Sequence, residues 1–427
     1  MLDAVEPLVS EPPDAEESGR RGARLAASYP HDFDVQRLYT GSLMRSGRFD
    51  DALEVVARVA REHDAPVPTN EFSGAYASIR ARDYVRADRH FENCLAASPD
   101  SADCLYWKGL LAASMGECAS AEKVIRRLIS VMPHQAEAHS ALGNLILVST
   151  KDASAAEGAF QERWRNIEPN GFAWEPTPAI SRISDEFRMH LVSGDLRQAL
   201  ASSERWSEAV AGTSETRFRA EPLLLSIELL RELGRNDEAR ALALKGLREQ
   251  RAWTPDEKFD ANVELMRLAY LTGGIHEDRY RMLRDEWMAK KKRSRVDVWL
   301  ASYAGLSLTT DQIELPVKPG EYAQDWLASS SEGYARAAED FAVRGRFEDA
   351  IQHAKAASAM CVVFAPMMGY LHARNALAHA YDGAGLREEA CNSYASISQM
   401  LIRTPDSASA LASKKRMRAL NCKQETR

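Results

Sequence analysis

One seven-residue phrase occurs twice in this chain, near its two ends, and it constrains the fold more than any other feature. "SGRFDDA" spans residues 46–52 and "RGRFEDA" spans residues 344–350. Apolar and small residues at helical spacing precede and follow each copy. The glycine accepts the backbone angles that end a helix, and the acidic residues favour the first turn of the next one. The phrase therefore predicts two helices joined by a tight turn.

Related units recur along the chain at a regular interval. Stretches 106–133, 223–247 and 374–397 place small residues at the same offsets as the two phrases. Prolines close the early units at positions 66, 99, 133 and 169, which gives spacings of 33, 34 and 36 residues. A period near 34 with small residues at fixed offsets is typical of helix-turn-helix repeat arrays. We therefore expect an all-α solenoid of about eight to nine repeats.

This pattern resembles that of the tetratricopeptide repeat family, W-x2-L-G-x2-Y, then A-x3-F, then P. The resemblance covers roughly residues 33–405 in degenerate form. In the repeat at 331–364 the signature positions hold Tyr334, Ala337, Ala338, Phe341, Ala350 and Ala354. The resemblance implies a right-handed superhelix whose inner helices line a concave groove, where ligands of this family usually bind.

Composition and repeat spacing divide the chain into five segments. Residues 1–22 are acidic, contain two adjacent prolines and are expected to be disordered. The other four segments are an array of about four repeats at 23–169, degenerate helical repeats at 170–308, a proline-containing linker at 309–330, and a repeat pair with a capping helix at 331–427. The stretch 170–180 is expected to be a loop between subarrays.

Charge and cysteine usage limit the partners and the compartment. The net charge of −7 disfavours nucleic acid, which needs clustered positive charge. No apolar stretch is long enough for a membrane helix, and the first residues lack the basic start of a signal peptide. Six cysteines without a CxxC pair are expected to be reduced thiols. The sequence thus predicts a cytoplasmic protein, and its Ala/Arg-rich composition suggests a bacterial one.

The family resemblance also assigns groove-facing offsets within each repeat, the second, fifth, sixth, ninth, twelfth and thirteenth. The side chains expected to bind a partner are Arg37, Arg45, Phe72, Tyr76, Arg80, Tyr106, Trp107, Asn144, Arg336, Asn375 and His379. Arginine offers fork-shaped donors to carboxylates, and aromatic anchors dominate interface energetics. The expected partner is a protein or peptide with acidic or aromatic side chains. Alternatively, the aromatic residues fill the core of the superhelix.

The sequence carries no motif for catalysis, a cofactor or a metal. "HEDRY" at 276–280 lacks the second histidine of the HExxH zinc motif. Phosphate-binding and nucleophile-elbow motifs are absent as well. The carboxylate clamp through which the family binds chaperone C-termini is also missing, because its positions hold Arg37, Gly41, Ser73, Asp103 and Trp107. We expect neither a metal nor a cofactor.

Three functional hypotheses follow from these observations. The leading one is a non-catalytic scaffold or adaptor that binds a protein or peptide in its groove. The alternative is a regulatory sensor that binds a peptide or small molecule and controls a separate enzyme or transcription factor. The third is an enzyme whose site is assembled from His353, His372, His379 and Glu339. The apolar stretch 360–371 is either buried against a neighbouring element or a surface for self-association.

Overall fold

The molecule is described from a computed structural model. The residues that it describes are 15–62, 66–81, 83–167, 177–211, 216–249, 261–289, 335, 338–339, 341–342, 344–361 and 368–422. Nineteen helices and no strand occur among them. The all-α fold predicted from the sequence is therefore confirmed.

The chain forms two compact units, of which the first covers residues 1–133 and 323–325. Short turns join its helices in pairs, as a repeat period near 34 residues requires. The helices of this unit are α1 (Ala15–Ser28), α2 (Phe33–Arg45), α3 (Phe49–Glu62), α4 (Pro68–Arg80), α5 (Tyr84–Ala97), α6 (Ala102–Ser114) and α7 (Cys118–Val131).

The second unit covers residues 134–322 and 326–427. Its first two helix pairs are α8 (Ala136–Thr150) with α9 (Ala153–Asn166), and α10 (Pro178–Val192) with α11 (Leu196–Val210). The remaining helices are α12 (Thr216–Glu232), α13 (Asn236–Glu249), α14 (Ala261–Leu271), α15 (Glu277–Ala289), α16 (Phe347–Ala359), α17 (Met368–Gly383), α18 (Arg387–Met400) and α19 (Ala408–Ala419).

The two copies of the seven-residue phrase form the same turn. Gly47 has a φ of 75° and Gly345 a φ of 74°, in the left-handed region that other residues rarely adopt. In both copies the next residue donates its N–H to the carbonyl five residues earlier, at 2.9 and 2.8 Å. These bonds satisfy carbonyls that the ending helix would otherwise leave without a partner. The phrase is thus the end of one helix and the start of its partner.

Small residues sit where paired helices cross. A Cβ atom on Gly109 would lie 2.7 Å from Cδ1 of Ile125, and one on Gly143 would lie 2.6 Å from the ring of Phe160. Both neighbouring side chains are fully buried, so they have little room to move away. The close approach of the helices explains the small residues that recur at fixed offsets in the sequence.

The C-terminal helices of the second unit fold back onto its middle repeats. Oγ1 of Thr404 donates to the carbonyl of Gly194 at 2.7 Å and accepts from the N–H of Leu196 at 3.0 Å. A Cβ atom on Gly194 would collide with the carbonyl oxygen of Met400. In a simple solenoid each repeat contacts only its neighbours. Here residues about 200 positions apart share hydrogen bonds, which repeat periodicity does not predict.

Two expectations about local order are wrong. Residues 15–22 belong to α1 rather than to a disordered arm, and Ser18 and Gly22 of this helix are buried. Residues 178–180 begin α10 rather than continue a loop. Thr177 accepts the N–H of Ile180 on its side chain, and Pro178 suits the first helical position because that position needs no N–H donor.

The cysteines are not reduced thiols, which corrects the sequence-based expectation. Cys94 pairs with Cys104, and Cys391 pairs with Cys422, with Cα–Cα distances of 6.5 and 5.6 Å. None of the described cysteines is free. Cys94 and Cys104 lie on α5 and α6, and Cys391 lies on α18 whereas Cys422 follows α19. Neither spacing matches a short cysteine motif. Because disulfides persist in oxidising compartments, the cysteines no longer support a cytoplasmic location.

Several other expectations fall on parts of the chain outside the described residues. They include the linker at 309–330 and Arg336. The apolar stretch 360–371 is described only at its ends, where Cys361, Met368 and Leu371 are buried. Met360 and Tyr370 at these ends are only partly buried, so self-association through 360–371 stays a prediction. Within the described parts, no helix is long and apolar enough to cross a membrane.

Candidate functional site

An aromatic face, defined as Tyr76, Tyr106 and Trp107, lies on α4 and α6 in the first unit. The ring of Trp107 meets Tyr76 edge-on with centroids 5.6 Å apart and Tyr106 edge-on at 6.1 Å. All three side chains are half-buried. Phe72 is different, because its ring packs 6.5 Å from the fully buried Phe91 and so belongs partly to the core. The structure thus brings together three of the predicted groove residues.

The predicted arginines of the first unit occupy different settings. Arg80 follows Tyr76 by four residues on α4, which places both on one helix face, and its guanidinium lies 5.5 Å from the ring centroid of Phe49. Arg37 is 57% exposed and lies 3.7 Å from Asp34 in a surface ion pair, which contributes little to stability. The side chain of Arg45 lies outside the described parts of the structure.

The remaining predicted groove residues that the structure describes, Asn144, Asn375 and His379, lie in the second unit and do not form one site. Asn144 is 0% exposed, and its amide nitrogen donates to the carbonyl of Ser140 at 2.8 Å. A partner cannot reach it, so its expected role in an accessible groove is wrong. His379 is exposed and its Nδ1 lies 3.3 Å from the hydroxyl of Tyr394. Asn375 borders a cavity described next.

A central cavity of about 640 Å³ lies within the second unit. Its walls come from α12, α13, α14, α17, the start of α19 and Glu339. The residues lining it are Glu228, Arg231, Glu232, Gly234, Asn236, Arg240, Arg267, Leu271, Thr272, Gly273, Glu339, His372, Asn375 and Ala408. Its volume falls within the range of roughly 300–1,000 Å³ that is usual for small-molecule sites.

Three arginines and three glutamates give the central cavity balanced charge. Arg267 is almost fully buried, and its guanidinium lies 3.3 Å from Glu228 and 3.4 Å from Glu264. Arg240 donates to the carbonyl of Thr272 at 2.8 Å. These contacts satisfy most of the buried charge, as the cost of burying an ion requires.

Glu232 connects the cavity to the C-terminal cap. Its carboxylate accepts the backbone N–H of Ser409 at 3.1 Å and the hydroxyl of Ser409 at 2.8 Å. The amide of Asn375 donates to the same hydroxyl at 2.8 Å. A carboxylate at this place satisfies an N–H in the first turn of α19 and interacts favourably with the helix dipole. Glu232 thereby ties α12 to α19.

Arg231 and Glu339 are the two charged residues of the cavity whose side chains make no direct polar contact. Neither side chain forms a hydrogen bond or an ion pair with a residue that the structure describes. Burial lowers the pKa of the Arg231 guanidinium, and the positive charge of Arg267 lowers it further. The charges of Glu228, Glu232 and Glu339 act in the opposite direction.

The sequence contained a signal for part of this cavity. Glu228, Arg231 and Glu232 occupy the ninth, twelfth and thirteenth offsets of the repeat at 220–253, which the family resemblance names as groove-facing. The groove residues predicted from the sequence lie only in the first four repeats and the last two, so the prediction misses these three. Arg267 lies six residues before the turn glycine Gly273, as Glu228 lies six residues before Gly234, so it takes the same ninth offset when the two repeats are aligned on these glycines.

The residues of the enzyme hypothesis do not converge. His372 and Glu339 line the central cavity, whereas His379 contacts Tyr394. His353 is fully buried with its ring centroid 4.9 Å from that of Phe341. Across the described parts of the chain, no group of three or more His, Cys, Asp or Glu side chains is arranged to hold a metal ion.

Comparisons with known proteins concern the fold alone. No protein-family model matches the sequence, and no curated protein matches it either. A solved tetratricopeptide repeat protein from Parabacteroides merdae is 13% identical over 67% of this chain and 99% of its own, with a TM-score of 0.44. Solved MamA is 18% identical over 41% of this chain and 96% of its own, with a TM-score of 0.34. The paired helices, glycine turns and small-residue crossings give this chain a tetratricopeptide-repeat-like architecture.

Proposed function

We propose that the chain is a non-catalytic scaffold that binds a protein or peptide segment through the aromatic face of its first unit. The observation that carries the proposal is the mutual contact of Tyr76, Tyr106 and Trp107, which come from the inner helices of adjacent repeats. All three occupy groove-facing offsets, and all three retain exposed surface.

The chemistry of this face suits a macromolecular partner. Tyrosine and tryptophan combine a large apolar ring with a polar group, and they are enriched among the residues that dominate binding energy. Edge-on packing holds the rings in place before a partner arrives, so little side-chain freedom is lost on binding. Arg80 on the same face of α4 adds positive charge for acidic side chains of the partner.

Affinity capture from the native host tests this function. Wild type is compared with Trp107→Ala, Tyr76→Ala and Arg80→Glu, and Tyr29→Ala serves as the control. Tyr29 is an aromatic residue of the same unit that is 55% exposed and lies outside the aromatic face. We expect a partner that wild type and the control retain and that the variants at Trp107, Tyr76 and Arg80 lose. Circular dichroism confirms that each variant is folded, and equal capture by every variant would refute the proposal.

A second candidate function is regulatory sensing, and the central cavity favours it. A cavity of ligand size whose wall includes the capping helix α19 offers a route from ligand occupancy to a change in the surface of the protein. The test repeats the capture with and without a small-molecule extract of the host. A partner set that is identical in both conditions contradicts sensing and leaves the scaffold function standing.

A further inference from the structure

The charges in the central cavity separate into those already satisfied and those without a contact. Arg267 is engaged by Glu228 and Glu264, and Glu232 is engaged by Ser409. Arg240 is held by the carbonyl of Thr272 and by Asp237, the latter at 3.2 Å. These side chains are committed to holding helices together, so they contribute to the shape of the cavity rather than to new bonds.

One arginine and one glutamate of the cavity, Arg231 and Glu339, are not engaged in such contacts. The side chains of Arg231 and Glu339 each lack a hydrogen bond or ion pair with any described residue, and the negative charge of Glu339 acts through space to raise the pKa of the Arg231 guanidinium. A partly buried charge without a partner is unfavourable, and a ligand that brings the opposite charge relieves that cost. Arg231 and Glu339 together therefore favour a ligand that carries both a negative group and a positive group.

We propose that the central cavity binds a small zwitterion, a molecule that carries a carboxylate and an ammonium group and ranges in size from a free amino acid to a short peptide. The carboxylate pairs with the guanidinium of Arg231, whose fork of donors matches two carboxylate oxygens. The ammonium pairs with Glu339. His372 and Leu271, which also line the cavity, supply a polar and an apolar wall for the rest of the ligand.

The balance of charge disfavours the simpler ligands. A ligand with only negative charge would gain Arg231 but would meet the carboxylates of Glu228, Glu232 and Glu339 in the same cavity. A ligand with only positive charge would meet three arginines. A zwitterion places each of its charges beside the opposite one and leaves the net charge of the cavity unchanged, which limits repulsion on binding.

This inference names the ligand class of the sensing function and is independent of the aromatic face. The experiment is a thermal-shift screen of the purified full chain against the twenty standard amino acids and a library of dipeptides, each at millimolar concentration. A ligand that binds only the folded state raises Tm. We expect at least one compound to do so for wild type. Because partner capture is not involved, failure here does not touch the scaffold proposal.

Two matched sets of controls connect any hit to the two charged residues. Calorimetric titration compares Arg231→Gln with Arg418→Gln, and Glu339→Gln with Glu208→Gln. The control residues are exposed and lie outside the cavity. We expect affinity to fall roughly 10- to 100-fold in the two cavity variants and to stay unchanged in the controls. The N-acetylated form of the hit, which lacks the ammonium, should bind as weakly as the hit binds to Glu339→Gln.

Three results would overturn the proposal. The first is that no compound in the library stabilises wild type. The second is a hit whose affinity is the same in wild type, Arg231→Gln and Glu339→Gln, since it would then bind elsewhere. The third is equal affinity for the hit and its N-acetylated form, which would make the cavity a simple anion site.

Discussion

The substitution Gly143→Ala should destabilise the pair α8 and α9, although alanine favours helices more than glycine does. The new methyl carbon would lie 2.6, 2.8 and 2.9 Å from three ring carbons of Phe160, which is fully buried. A rigid ring enclosed on all sides cannot move aside, so the change overpacks the crossing at a cost of about 1–3 kcal/mol. The higher helix propensity of alanine offsets about 1 kcal/mol of this cost. The expected net loss is about 1 kcal/mol.

Gly158→Ala in α9 is the matched control. Nothing lies within 4 Å of the Cβ position at Gly158, so only the gain in helix propensity of about 1 kcal/mol applies. Because that gain is common to both variants, the difference between them isolates the cost of overpacking. Hydrogen exchange of the α8 and α9 amides measures local stability directly. If Gly143→Ala protected these amides as well as Gly158→Ala does, the close crossing described here would be wrong.

Three other measurements test separate features of the structure. Peptide mapping without reductant should recover Cys391 linked to Cys422, and removing that bond should destabilise the C-terminal helices by about 2–4 kcal/mol; finding both thiols free would contradict the assignment. Burial lowers the pKa of His353 below its unfolded value of 6.5, so the unfolded chain binds the proton first and stability should fall as pH drops below that value. The variant His353→Leu should show a shallower decline in acid denaturation, and an unchanged slope would exclude His353 as the cause. Glu232→Gln should weaken both bonds to Ser409 and raise exchange in α19 by the equivalent of about 1–2 kcal/mol, whereas unchanged exchange would show that Glu232 does not hold the cap.

The sequence predicted those parts of the fold that depend on neighbouring residues. The turn at Gly47 needs only one residue that accepts positive φ, and the crossing at Gly109 needs only a missing side chain opposite Ile125. Both requirements recur in several repeats, so they produce a periodic pattern in the sequence. The contact between Tyr76 and Trp107 was accessible in the same way, because both take groove-facing offsets in consecutive repeats.

The features that the sequence did not predict depend on contacts between distant residues. Thr404 bonds to the turn at Gly194 across about 200 positions, and no periodicity connects the two. The disulfide between Cys391 and Cys422 joins positions 31 apart, a spacing that matches no motif. The central cavity depends on both kinds of feature. The repeat offsets identify Arg231 on α12 as groove-facing, but they cannot show that Glu339 and α19 lie beside it.

Under the proposed ligand assignment, the fold-back also limits the size of the ligand that the second unit would accept. Glu232 takes a groove-facing offset, but its carboxylate is already occupied by Ser409, and Asn375 donates to the same hydroxyl. An extended peptide that followed the groove past α12 and α17 would have to break these bonds and displace α19. A small ligand that contacts Arg231 and Glu339 breaks none of them. The two cases separate in Ser409→Ala, which removes the hydroxyl that Glu232 and Asn375 bind and keeps every charge of the cavity. Loosening α19 in this way should improve access for a long peptide and leave the affinity for a free amino acid nearly unchanged.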